Sequence, residues 1–238
     1  MNKISSTIAS FALLATLASC DEGRLYDTDI VTEEEGGNAR VTATISGESS
    51  WTSGYAIAVA GFESGNEYAI ISKNVEVSAS DGTCDVALTG IPAEVSTIEL
   101  CALDRLRRRV ATFATADYKV SGDTLRIDAG ALDVSMANAI QQEIFNTTCI
   151  QCHGGSNYAA AGLHLTEGLS FESLVGVSSV KVPGKHRVEA GSSTESVMYE
   201  ALAEGISSSW RYDHSVEVVK QEKLDLIRNW IDGGAKHN

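Results

Sequence analysis

Two periods of hydrophobic patterning divide this chain. Between residues 39 and 133, short runs rich in Val, Ile and Thr alternate with turn residues: Val41 to Ile45, Tyr55 to Val59, Tyr68 to Ile71, Val75 to Val77, Cys84 to Leu88, Ile98 to Leu103, Val110 to Phe113 and Leu125 to Ile127. Turn signals such as Gly65-Asn66 and Ser80-Asp81-Gly82 separate them, so the pattern predicts about eight strands packed as a small all-β sandwich. From Val134 the period lengthens to that of a helix, which sets an expected domain boundary near Asp133.

In this second part Met136, Ile140 and Ile144 recur at helical spacing with Phe145 beside them. Ser135 stands as N-cap, and Gln141, Gln142 and Glu143 fall on the other face. Ser192 and Glu195 have capping-box spacing ahead of the apolar positions Val197, Met198, Ala201 and Leu202, and Gly205 is the stop. A short helix is expected over 171–175. Leu224, Ile227, Trp230 and Ile231 form the face of a last helix closed by Gly233-Gly234. The expected fold class is multidomain α and β: an N-terminal all-β sandwich over 39–133, then a small all-α domain over 134–238.

The N-terminus changes the picture of where this chain works. Residues 1–19 carry Lys3, an apolar run from Ile8 to Leu17, and Leu17-Ala18-Ser19 directly before Cys20. That run is too short to span a bilayer and has the layout of a secretory signal peptide. The small residues before the cysteine resemble a bacterial lipobox, which would make Cys20 the acylated first residue of the mature protein. A plain signal peptide is the alternative. Residues 20–38, with Glu33-Glu34-Glu35 and Gly36-Gly37, read as a flexible tether. The expected location is the cell envelope, at the periplasmic side or surface of an outer membrane, with the lipid anchor as membrane contact. A net charge of −14 argues against nucleic acid as a partner. Against that acidity stands one basic run, Asp104-Arg105-Leu106-Arg107-Arg108-Arg109, between two strand candidates. It reads as a solvated hairpin end, or as a grip for lipid headgroups or an acidic partner.

The chemistry is concentrated in Cys149-Ile150-Gln151-Cys152-His153, a C-x-x-C-H run. Two thiols at this spacing can add across the two vinyl groups of a porphyrin, and the next residue brings an imidazole to the iron. A redox disulfide and half of a zinc site are the rivals. Neither a second C-x-x-C nor an H-x-x-x-H occurs, and the motif follows a helix where a thioredoxin-like site would open one. The cofactor read from these residues is one covalent haem c, held by Cys149 and Cys152 with His153 as proximal iron ligand. Export supports this, since attachment of this kind takes place outside the cytoplasm. Cys84 and Cys101 remain; in an oxidising compartment they are expected to bridge neighbouring strands as a disulfide, or else to pack as free thiols.

With these residues in place, 135–236 resembles a small single-haem cytochrome c domain, in which a helix ending in the haem motif crosses a C-terminal helix. The haem motif with Gly154-Gly155, then Ala161-Gly162-Leu163-His164-Leu165, Val188-Glu189-Ala190-Gly191, Ser196-Val197-Met198-Tyr199 and Trp230-Ile231-Asp232-Gly233-Gly234-Ala235, is similar to cytochrome c-like domains of the planctomycete type. The resemblance implies an all-α haem domain, with Phe145 and Trp230 as the aromatic pair at the helix crossing.

One departure bears on the chemistry. The family usually supplies a distal methionine from the loop before the last helix, and here residues 207–215 contain none. His214 on that loop is the first candidate for the sixth iron ligand and Met198 the alternative. His164, His186 and His237 read as surface histidines. Trp210, Arg211 and Tyr212 would cover the haem edge, or line a distal pocket if the sixth site were open. The expected function is a membrane-anchored electron carrier rather than an enzyme, with an unidentified redox protein as partner. The alternatives are a haem-based ligand-binding or sensing lipoprotein and an electron-transfer subunit of a larger membrane enzyme.

Overall fold

The computed structural model describes residues 36–155 and 159–237. The signal peptide, Cys20 and most of the tether lie outside the described residues. Among the described residues, no helix is long and apolar enough to cross a membrane.

Seven strands form two sheets. These are β1 (Gly37–Ser46), β2 (Tyr55–Phe62), β3 (Ile71–Asn74), β4 (Thr83–Ile91), β5 (Thr97–Asp104), β6 (Arg109–Asp117) and β7 (Thr124–Asp133). One sheet has the order β4-β1-β7, the other β3-β2-β5-β6. β1 runs antiparallel to β4 and parallel to β7, whereas every pair in the second sheet is antiparallel. Side chains alternate inward along β1 and β4, burying Val41, Ala43, Val86 and Leu88 on one face. β5 is buried almost throughout, because its sheet is covered on both faces. Ile98, Leu100 and Ala102 join the core between the sheets. Cys101 and Leu103 join Ala58, Ala60, Phe62 and Ala69 in a second cluster on the other face. The residues at its centre are small, which lets the segment that carries Ala69 lie close over the sheet.

The β part of the expected fold is met in part. Val75 to Val77, expected as a strand, has no ladder of its own, although Val75 N–H still donates to the Ile57 carbonyl at 2.9 Å. Cys84 and Cys101 are free buried thiols. They stand on different sheets, Cys84 in the inter-sheet core and Cys101 in the outer cluster, so the expected disulfide is not formed. Burial pushes both thiols above the usual cysteine range.

The helical part corrects the expectation more deeply. α1 (Met136–Ile140) runs without a break through Gln141–Cys149 into α2 (Ile150–His153). The remaining helices are α3 (Ser170–Leu174), α4 (Val197–Ala203) and α5 (Gln221–Asp232). Ser135 caps α1 as expected, accepting from Asn138 N–H at 3.1 Å. The Ser192–Glu195 capping box does not form: α4 starts after Ser196, whose hydroxyl donates to the Ser192 carbonyl at 2.8 Å.

Helices this short cannot bury a core among themselves, and the sheets supply the missing partner. Met136, Ile140, Phe145, Ile227, Trp230 and Ile231 belong to the same apolar cluster as Val41, Val59, Ile98 and Leu100. From Gly36 onward the chain forms one compact unit. A small all-α cytochrome c-like domain is therefore not what this chain builds: the molecule is mostly β, with a few short helices laid against its sheets. Polar bonds tie the two layers. Trp51 Nε1 donates to the Val134 carbonyl at 2.6 Å, Met136 N–H to Ser50 Oγ at 2.8 Å, and Asn229 Nδ2 to the Tyr55 hydroxyl at 2.8 Å.

The edge of β6 shows how the helices protect the sheet. An open edge strand presents unpaired N–H and C=O groups to other chains. Here Thr112 N–H donates to Glu143 Oε1 at 3.3 Å, and Lys223 Nζ donates to the Val110 carbonyl at 3.0 Å and to Glu143 Oε2 at 2.8 Å. One carboxylate and one ammonium thus stand in for the missing strand. Glu143→Ala is expected to cost about 1 kcal/mol, for the lost hydrogen bonds at a partly solvated site. Urea unfolding would show the lowered midpoint, and light scattering on warming would show earlier aggregation.

Candidate functional site

The C-x-x-C-H run sits at the end of the long helical segment, and the winding of that segment aims its side chains. Gln141–Cys149 is π-helical, a geometry that recurs at functional sites. In an α-helix the step from Ile140 to Cys149 would be about two and a half turns and would carry Cys149 to the outside. At ~4.4 residues per turn the same step is close to two turns. Cys149 accordingly packs against the core, whereas Cys152, on the following α-helical turn, is exposed. Burial pushes the Cys149 thiol up to about 12, with smaller contributions from Glu217 and Cys152. The motif closes on Gly154, where a Cβ would stand 2.5 Å from the Ile150 carbonyl oxygen. Only glycine fits there.

His153 is held by its backbone and by its ring. Its carbonyl accepts from Leu165 N–H at 2.8 Å. Its Nδ1 lies 3.1 Å from the Ala160 carbonyl, which requires the proton on Nδ1 and leaves the Nε2 lone pair free. This is the arrangement that orients a metal-ligating histidine. Burial, and to a lesser degree the nearby His214, hold His153 below the usual histidine range, so the ring is neutral. Arg187 steadies the loop that supplies Ala160, donating to the carbonyls of Ala161 at 2.9 Å and Ser173 at 2.8 Å.

The loop after α4 brings His214 to this ring. The centres of the His153 and His214 imidazoles are 6.2 Å apart, and their planes are inclined by 33°. Gly205, at φ 68°, turns the chain out of α4, a conformation that glycine adopts without penalty. Ser207 then anchors the loop from a fully buried position: His214 N–H donates to its hydroxyl at 2.8 Å, and the hydroxyl lies 3.1 Å from the Ala201 carbonyl. Asp213 accepts from Ser215 N–H at 3.0 Å and from its hydroxyl at 2.8 Å, which keeps its carboxyl below the usual range and anionic. Trp210 and Tyr212 meet the His214 ring edge-on at 5.9 and 5.3 Å, and Tyr212 is tied to Glu217. His214 Nδ1 is buried without a hydrogen-bond partner among the described residues. A buried imidazole nitrogen in that state calls for a missing partner.

The 6.2 Å between the two ring centres matches in length what one metal shared by two imidazoles requires. Two imidazoles on opposite sides of one metal, at the ~2 Å bonds usual for histidine nitrogen, have ring centres about 6 Å apart. The pair stands alone: among the described residues no group of three or more His, Cys, Asp or Glu side chains converges as a metal cage.

The other sequence candidates fall elsewhere. Met198 lies on α4, packed against the apolar core. His186 Nδ1 lies 2.5 Å from Glu189 Oε2. His164 is placed through its backbone, which donates to Ser173 Oγ at 3.0 Å. His237 is exposed on one side and stacks on Phe171 at 5.5 Å. Phe145 and Trp230 do not meet as the expected crossing pair. Phe171 stands between them, with its ring centre 5.9 Å from Phe145 and 5.3 Å from Trp230.

Three positioning residues had no readable signal. Gln141, expected on the solvent face, is buried, and its amide donates to the Leu165 carbonyl at 3.0 Å and accepts from Ser170. Arg187 and Ser207 are polar residues in irregular segments, where no periodicity marks an inward position. Ser207→Ala is expected to cost about 1–3 kcal/mol, because it leaves the His214 N–H without its acceptor. Urea unfolding measures this, and amide exchange at 207–215 should rise with it.

Comparison of the chain with family models and with curated proteins gives no match.

Proposed function

We propose that this protein is an exported, membrane-anchored haem protein that carries electrons through one haem, which Cys149 and Cys152 would attach and His153 and His214 would hold through its iron. The residues that would attach the haem and hold its iron stand on a mostly β scaffold, not on a helical cytochrome c-like domain. The observation that carries it is the 6.2 Å separation of the two imidazole centres beside the C-x-x-C-H run. Bound there, the haem iron would supply a one-electron couple, with two imidazoles favouring a lower potential than a thioether would.

The chain's own contribution is preorganisation. Ala160 sets the His153 tautomer, Ser207 and Asp213 set the His214 loop, and Trp210 and Tyr212 limit rotation of the His214 ring. A pair held this way needs little rearrangement when the iron changes charge, which is what electron transfer requires. Cys20 would carry the lipid that keeps the carrier at the membrane.

The test is the visible spectrum of protein produced with haem-attachment machinery, oxidised and reduced, in wild type and His214→Ala. Wild type should show sharp low-spin ferrous bands, and the variant should turn high-spin and bind carbon monoxide when reduced. A high-spin wild type would reject the axial pair and move the reading to ligand binding at an open site. A low-spin His214→Ala variant would assign the sixth position to another residue.

A further inference from the structure

The basic run between β5 and β6 is divided by the fold. Arg108 is engaged by Asp104 at 3.2 Å and by Glu222 at 3.3 Å. Arg109 binds the buried Glu99 and lies over the Phe62 ring at 4.6 Å. Arg105 and Arg107 have no carboxylate partner among the described residues. Between them Leu106 is 70% exposed. We infer that the Arg105-Leu106-Arg107 tip is a docking point for an anionic lipid surface, a second membrane contact besides the proposed N-terminal anchor.

The tip is built to hold this display. Asp104 Oδ1 accepts from both Leu106 N–H and Arg108 N–H at 2.9 Å, and Arg107 N–H donates to the Asp104 carbonyl at 2.9 Å. Arg107 sits at φ 62°, a left-handed conformation that a non-glycine residue adopts at a cost. The segment alongside is bonded to it: Ala69 N–H donates to the Arg107 carbonyl at 3.0 Å and Arg109 N–H to the Glu67 carbonyl at 2.8 Å. That places Tyr68, 47% exposed, next to the tip. Two guanidinium groups flanking an exposed leucine, with a tyrosine beside them, match the interfacial zone of a bilayer. Aliphatic and aromatic side chains partition there, and arginine pairs with phosphate.

Local charge favours this occupant despite the overall acidity. Glu67 is paired with Lys220, and Glu222 and Asp104 with Arg108. These three carboxylates face two cations, Arg108 and Lys220, so Arg105 and Arg107 leave the tip with one net positive charge, and more distant carboxylates are screened beyond roughly 8 Å at physiological salt.

The inference adds to the anchored reading and needs no haem, so it is tested apart from both. The probe is the processed chain from residue 20 carrying Cys20→Ala, sedimented with phosphatidylglycerol/phosphatidylcholine vesicles and with phosphatidylcholine alone. Binding to the anionic vesicles alone, weakening with salt, is expected. Arg105→Gln with Arg107→Gln should lower partitioning roughly thirtyfold. Leu106→Gln should lower it several-fold, and Arg126→Gln, on β7, less than twofold. Circular dichroism should be unchanged in all of them, since these side chains are exposed. No binding to anionic vesicles overturns the inference, as does equal binding by the tip variants. A loss at Arg126 as large as at the tip also overturns it, by reducing the effect to general electrostatics. Acylation at Cys20, measured by labelling with a radioactive fatty acid, is a separate result.

Discussion

Replacing Cys149 and Cys152 together by serine is expected to leave no haem on the polypeptide after an acidified-acetone wash, whereas the wild-type chain keeps its full complement. Serine is close to cysteine in shape but cannot form a thioether. Each single variant should keep haem through the remaining bond, with one unreacted vinyl group shifting the ferrous band to longer wavelength. Cys152 is exposed and Cys149 lies at the border of the core, so the far-ultraviolet dichroism should stay unchanged and separate loss of haem from loss of fold. His153→Ala should keep the covalent link and lose the low-spin spectrum. Wild-type protein that releases all its haem to the wash would reject the attachment chemistry and return the motif to its rivals, a redox disulfide or part of a zinc site.

Trp230→Ala is expected to remove about 3–5 kcal/mol, a large part of the stability of an ordinary domain. Its indole is 3% exposed, packs on Phe171 at 5.3 Å and donates to the Lys236 carbonyl at 2.8 Å. Alanine would leave a cavity where α5 meets the rest of the core and would strand that carbonyl. Because Trp230 shares one apolar cluster with strand residues such as Val41 and Ile98, the loss should be global. Urea unfolding followed by dichroism in the β and helical regions of the spectrum should give one transition, displaced to lower urea. Two transitions, with the strand signal untouched, would mean that the helical segments unfold independently. Trp230→Phe should recover most of the loss, since it restores much of the volume without the hydrogen bond.

The β part of the architecture was legible in part, where local rules sufficed. Alternation marked the strands of residues 39–133, where one or both faces are buried and the side-chain period is two. Ser135 marked a helix start through a hydrogen bond it makes within three residues. Where the competing partner lay far along the chain, local reading failed. Val75 to Val77 had strand composition but found no ladder. Ser192 and Glu195 had capping spacing, yet Asp232 at the end of α5 takes the Ser193 N–H at 2.8 Å, and α4 starts only after Ser196. The disulfide failed for the same reason: two cysteines in strand-like runs say nothing about which sheet, or which face, each will occupy.

By itself the sequence determined the chemical content of the site: two thiols and an imidazole at a spacing suited to a porphyrin, at the end of an amphipathic helix, with a further histidine in a later loop. Those are properties of residue type and interval, and they survive any fold. What only the tertiary structure decided is where these groups point and what they share. The π-winding turns Cys149 toward the core, a feature that a 3.6-residue period cannot predict. The buried Ser207 and the turn at Gly205 carry His214 across to His153, a contact between segments about sixty residues apart. The helices joined the sheets in one core because helices of this length bury too little surface to stand alone. Periodicity reveals that an apolar face exists. Only the folded chain decides what covers it.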